Sequence, residues 1–123
     1  RCPSCKFIGR FFLENYKFVY DGYSKTRNGT VANIVELNNA IVWGGLFEIN
    51  KDNLAALDCY EGFPKYYDKK IVKVKNETSN VYDAWVYFRI GMKQDRPSND
   101  YRRIVLEGAK DCNLPEEYIK NNL

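Results

Sequence analysis

The sequence predicts an α+β domain whose short strands outnumber its helices, although spacing alone does not show that they close into a barrel. Three observations lead there. Aromatic and β-branched runs recur through the first 90 residues, punctuated by Asn-Gly, Asp-Gly and polar turn segments. The apolar period turns helical in two places, each just after a residue suited to capping a helix. Strands and helices also fail to alternate regularly, as a parallel α/β sheet would require.

Each element has its own signal. Residues 16–20 alternate as a strand and end at Asp21-Gly22. Asn28-Gly29 marks a second turn, and 30–35 reads as the next strand. Residues 41–49 are the strongest strand, and Gly44-Gly45 in its middle marks a bulge or a close approach to the backbone. Asn50 then caps a helix carrying Leu54 and Leu57, which Gly62 stops, with Pro64 just beyond. Residues 69–74 and 81–88 form a hairpin across the polar segment 76–80. Ser98 caps a helix with Tyr101, Ile104, Val105 and Ala109 along one side. Pro115 opens a last short helix, with Glu116 and Glu117 at its positive end.

Composition bounds the function. A chain of 123 residues is long enough for one core and too short for two, so residues 1–123 read as a single domain. The net charge of +3 is spread thinly, and a nucleic-acid partner would need clustered cations. No apolar run reaches the length of a membrane span, so no membrane is expected as a partner. Histidine is absent, which removes Ser–His and Cys–His nucleophiles, imidazole acid–base chemistry and His metal sites. Of the four cysteines only Cys2 and Cys5 are close in sequence, whereas a zinc module needs two close pairs. Free thiols in a cytoplasmic protein are the expected state.

The candidate chemistry centres on Leu57-Asp58-Cys59-Tyr60-Glu61-Gly62. At helical spacing Glu61 lies on the side of Leu54 and Leu57, and it meets the negative end of the helix dipole. Both effects disfavour its ionised form. A Glu before a helix-ending Gly is ordinarily a solvated residue, so position alone does not carry catalysis. Asp58 is expected to hydrogen-bond backbone or a neighbouring tyrosine. Ten tyrosines, among them Tyr66, Tyr67, Tyr87 and Tyr101, offer apolar area with a polar tip, and most should serve packing.

Three segments carry a resemblance. Val42-Trp43-Gly44-Gly45-Leu46-Phe47-Glu48-Ile49, then Leu57-Asp58-Cys59-Tyr60-Glu61-Gly62, then the tail from Pro97-Ser98 to Leu114-Pro115 are together similar to the γ-glutamylcyclotransferase superfamily. Arg1-Cys2-Pro3 resembles the stretch that follows that family's first loop. The resemblance implies a small mixed β-barrel flanked by helices, and a cofactor-free, metal-free conversion of a γ-glutamyl amino acid or amine into 5-oxoproline and a free amine. It implies Glu61 as general acid–base, and Tyr67, Tyr87, Tyr101 and Gly44 as substrate-binding residues. One residue fewer between Glu61 and Tyr67 than in some relatives leaves Tyr66 as an alternative. The family opens with a strand and a Tyr-Gly-Ser-Asn-type substrate loop that has no counterpart in 1–123, and a sheet edge left bare there would invite a homodimer. A non-catalytic small-molecule binding domain of the same fold is the competing expectation.

Overall fold

The computed structural model describes residues 4–123. Four strands and three helices run in the order β1 (Lys6–Ser24), β2 (Gly29–Glu48), α1 (Lys51–Glu61), β3 (Asp68–Lys75), β4 (Val81–Phe88), α2 (Asn99–Asp111) and α3 (Glu116–Asn122). The α+β class is as expected. The barrel is not closed: the strands form one sheet in the order β2-β1-β3-β4, and every pairing is antiparallel. The edge strands β2 and β4 share no ladder, so the sheet does not join on itself, and its two halves are linked by a single β1–β3 register pair, Phe12 with Lys75.

The separate strands expected at 16–20, 30–35 and 41–49 belong to two long ones. β1 and β2 form a hairpin across the turn at Asn28, which adopts the left-handed conformation at φ 54°. Asn15 and Asn39 are also left-handed, at φ 65° and 68°, and the ladder shifts register between Glu14 and Tyr16. The Asn39 N–H donates to Asn15 Oδ1 at 3.1 Å, which ties the two irregular points together. Asparagine tolerates this backbone because its short amide can bond locally. Two short alternating runs therefore become one bent strand.

The helix caps follow the sequence. Asn50 and Asn53 form a reciprocal capping box on α1, and Ser98 accepts the Tyr101 N–H on α2. Gly62 closes α1 in the left-handed conformation at φ 69°, with the Phe63 N–H returning to the Asp58 carbonyl at 2.9 Å. Pro115 sits one position outside α3, as its N-cap.

Helices α2 and α3 cover one end of the β1–β2 ribbon, where Ala109, Leu114 and Leu123 are buried against Phe18, Trp43, Val105 and Tyr118. The opposite part of the sheet is open. Phe11, Leu13, Val72, Val74 and Trp85 line an apolar groove of about 140 Å³ between the β1–β2 and β3–β4 halves. No helix among the described residues is long and apolar enough to cross a membrane.

Candidate functional site

Helix α1 places its last turn against the β3–β4 hairpin and the outer edge of β2. Leu54, Leu57, Asp58 and Glu61 are all half-buried, while Ala55, Ala56, Cys59 and Tyr60 are exposed. The spacing of 54, 57, 58 and 61 is one helical stripe, so the position expected for Glu61 holds.

Two cross-strand neighbours seize Asp58. Lys69 on β3 lies directly opposite Tyr87 on β4. Lys69 Nζ donates to Asp58 Oδ2 at 2.6 Å, and the Tyr87 hydroxyl donates to Asp58 Oδ1 at 2.6 Å. Residues opposite one another on one face of a sheet have Cβ atoms about 4.5–5.5 Å apart, close enough to grip both oxygens of one carboxylate. The bonds from Lys69 and then Tyr87 hold the Asp58 carboxyl below its ordinary range. The Lys69 ammonium is sandwiched between aromatic faces, 4.6 Å from the Phe63 ring centre and 5.0 Å from that of Trp85.

The other two tyrosines meet at the edge of β2. The Tyr67 hydroxyl donates to the Ala32 carbonyl at 2.8 Å, and the Ala32 N–H donates to the Tyr101 hydroxyl at 3.0 Å. Both outward backbone groups of one edge residue are thus capped by phenols, which satisfies them and blunts the edge. Burial is the main cause raising the Tyr67 phenol, with smaller contributions from Tyr101 and from the charge of Glu61. Tyr87 is raised above the ordinary phenol range by burial, then by Asp58, with a further contribution from Glu61. Glu61 therefore lies within electrostatic reach of both Tyr67 and Tyr87, and Tyr67 within that of Tyr101.

Of the expected residues, Tyr67 and Tyr101 meet at Ala32, Glu61 lies within electrostatic reach of Tyr67 and Tyr87, and Tyr66 and Gly44 stand apart. Tyr66 does not compete for the place of Tyr67: it is 65% exposed and packs on Gly62. Gly44 lies apart from the tyrosines and lines the apolar groove. A methyl group added there would meet no atom within 4 Å, whereas one added at Gly45 would strike Cys112 Sγ at 2.5 Å. A cavity of about 440 Å³ elsewhere, between Lys17, Tyr20, Arg96 and Asn122, contains none of the expected site residues.

Five residues at the site were not anticipated. Lys69 is one. Arg27, in the β1–β2 turn, reaches the end of α1: it donates to the Tyr60 hydroxyl at 3.2 Å and stands 5.4 Å from the Tyr101 ring centre. Beneath Tyr67, the Arg89 guanidinium lies 5.3 Å from the ring and pairs with Asp21, which is 1% exposed, at 2.6 Å. Asn33 completes that buried group by bonding Asp21 and both backbone polar groups of Arg89. No local motif announces the contacts of Arg89 with Asn33 and Asp21, which lie 56 and 68 positions away.

Of the cysteines, Cys59 and Cys112 are free as expected. Cys5 is disulfide-bonded, which corrects the free-thiol expectation there and removes the four-cysteine zinc reading. Among the described residues no group of three or more Cys, Asp or Glu side chains gathers as a metal site.

The fold and this cluster define a class: a small α+β domain with a half-buried carboxylate at a helix end, within electrostatic reach of two phenols that are hydrogen-bonded to Ala32 and Asp58. The chain belongs to the AIG2-like family, whose model matches residues 41–121. It is 31% identical to human gamma-glutamylcyclotransferase over 96% of its own length, and 30% identical to that of Bos taurus over 98%. It spans 65% and 66% of those two proteins, just under two thirds. A solved structure of a gamma-glutamyl cyclotransferase superposes with a TM-score of 0.90 at 29% identity, covering 98% of this chain and 76% of that one.

Proposed function

We propose that the chain is the body of a cyclotransferase that converts a γ-glutamyl amino acid or amine into 5-oxoproline and the free amine. The observation that supports this reading is the electrostatic reach of Glu61 to Tyr67 and Tyr87, in a family whose curated relatives bear that activity by name.

The chemistry needs little else. The substrate's α-ammonium gives a proton to the Glu61 carboxylate and becomes an amine. Its lone pair attacks the γ-carbonyl carbon, forming the ring C–N bond and a tetrahedral oxyanion. Glu61 returns that proton to the departing nitrogen as the old C–N bond breaks and the carbonyl re-forms, and then carries the ring nitrogen's second proton to the released amine, which leaves as its ammonium while the ring keeps one N–H. No group on the protein is acylated. Proton transfer of this kind contributes about 10²–10⁴ in rate. Tyr101 accepts the Ala32 N–H and keeps its own proton, so it can donate to the carboxylate or carbonyl of the substrate.

The reading extends to domain organisation. Residues 1–123 form one domain whose substrate cradle is completed by a strand and loop lying outside this stretch. The apolar groove between the sheet halves supports this, and Gly44 keeps β2 open for a backbone to approach there. A second copy of the chain covering the same groove would give a homodimer instead.

The test is release of 5-oxoproline from a panel of γ-glutamyl amino acids and amines, by 1–123 and by a chain extended with the family's first strand and loop. Glu61→Gln should lower the rate about 10²–10⁴-fold with the fold intact. A folded, extended chain that releases no 5-oxoproline from any donor would leave a non-catalytic binding domain.

A further inference from the structure

Tyr67 and Tyr87, the two tyrosines shown within electrostatic reach of Glu61, already donate their only proton to the protein. Tyr67 gives its proton to the Ala32 carbonyl, and Tyr87 gives its proton to Asp58. A phenol has one O–H and two lone pairs, so once the proton is committed the oxygen can only accept from a ligand. For Tyr87 the partner that dictates this is a side chain and can be changed.

The arrangement around Asp58 makes the direction firm. An ionised carboxylate accepts only, so the Tyr87 hydroxyl cannot turn round and become the acceptor. Lys69 holds the other carboxylate oxygen at 2.6 Å, and only 13% of its side chain is exposed. With Lys69 lodged between the Phe63 and Trp85 rings, Asp58 keeps its charge and its orientation. Register enforces the clamp, since Lys69 and Tyr87 are paired across the hairpin. The nearby ion pair of Lys73 with Asp83 is of a different kind, 74% and 64% exposed and remote from any tyrosine hydroxyl contact.

We propose that Asp58 and Lys69 are positioning residues that fix Tyr87 as a hydrogen-bond acceptor for the substrate's α-ammonium group. This rests on the cyclotransferase reading and deepens it. The α-nitrogen must present its lone pair to the γ-carbonyl after losing one proton to Glu61. An acceptor that holds one of the remaining N–H bonds fixes the direction of that lone pair. A donor at the same place would compete for the lone pair and suppress attack. Asp58 never touches the reacting atoms and works only through Tyr87.

The α-amine separates this role from a merely structural one. A glutaryl amide matches a γ-glutamyl amide except that it lacks the α-amine, so it binds without cyclising. The experiment measures KM and kcat for a γ-glutamyl amide and the inhibition constant of its glutaryl counterpart, in the full extended chain. Asp58→Asn and Tyr87→Phe should raise KM for the γ-glutamyl amide about tenfold, the usual effect of losing one hydrogen bond to a charged group. The glutaryl inhibition constant should stay within about twofold. Lys69→Met should shift the same ratio in the same direction, and Lys69→Arg should restore it, while Lys73→Met should move neither constant. Should the ratio of the two constants stay at the wild-type value in folded Asp58→Asn and folded Lys69→Met, the positioning role is overturned although the enzyme reading survives. No turnover by the unaltered extended chain would instead overturn the cyclotransferase reading itself.

Discussion

At the scale of single residues, the site is organised by polar groups that reach across the sequence. Asp58 was expected to bond a tyrosine, and it does. The deeper dependence is on Arg89. Asp21 is almost wholly buried, and it is served by the Arg89 guanidinium, the Asn33 amide and the Met92 N–H. Arg89 also lies against the Tyr67 ring, so the buried pair forms the floor under one site tyrosine. Removing one partner of such a pair leaves an unbalanced charge in a poorly hydrated place, at a cost of about 3–5 kcal/mol. Arg89→Met should therefore lower stability by about that much in urea unfolding. The double variant Asp21→Asn/Arg89→Met should recover much of the loss, because no buried charge is then left alone. A loss below about 1 kcal/mol in the single variant would mean that water reaches Asp21 and that the floor is soft.

At the scale of elements, what could be read depended on how local the determinant was. Caps were legible because they are local: Asn50, Gly62 and Ser98 each stop or start a helix within three residues. The hairpin of β3 and β4 was legible for the same reason, but its register, which sets Lys69 opposite Tyr87, was not. The long ribbon was not legible as such. Left-handed Asn15 and Asn39 look like loop residues in sequence, yet they bend continuous strands. The place of Glu61 on the half-buried stripe of α1 was legible from helical spacing. Arg27 and Arg89 were not, since their partners lie far along the chain.

The adjacent glycines of β2 give this scale its prediction. A methyl group at Gly45 would lie 2.5 Å from Cys112 Sγ and 3.2 Å from its Cβ, forcing β2 away from the end of α2. Overpacking of that kind costs about 1–3 kcal/mol. Gly44 opens onto free space, and replacing a strand glycine there removes unfolded-chain entropy worth about 0.5–1 kcal/mol. Gly45→Ala should lower the urea midpoint and Gly44→Ala should hold or raise it. The reverse order would mean that β2 and α2 do not meet through this contact.

For the whole molecule, the open sheet decides how complete the domain is. Only Phe11, Leu13, Val19, Ala109, Leu114 and Leu123 are buried apolar side chains among the described residues, a thin core for a chain of this length. The thinness is uneven. The end covered by α2 and α3 is closed, while Trp85 is 44% exposed and Ile71 58% exposed on the β3–β4 half. The single β1–β3 bridge at Phe12 and Lys75 leaves the two halves hinged rather than zipped. An added strand would give unpaired backbone groups their partners and cover the groove beside Trp85. Extending 1–123 with the family's first strand and loop should therefore raise Tm, by about 4 °C for each kcal/mol gained. It should also shift Trp85 emission to the blue, read in a Trp43→Phe background so that one indole reports. If a second copy covers the groove instead, the shift should appear in unextended 1–123 and grow with its concentration. If neither extension nor concentration moves the emission or Tm, the groove is a solvated surface and the domain proposed for 1–123 needs no further strand.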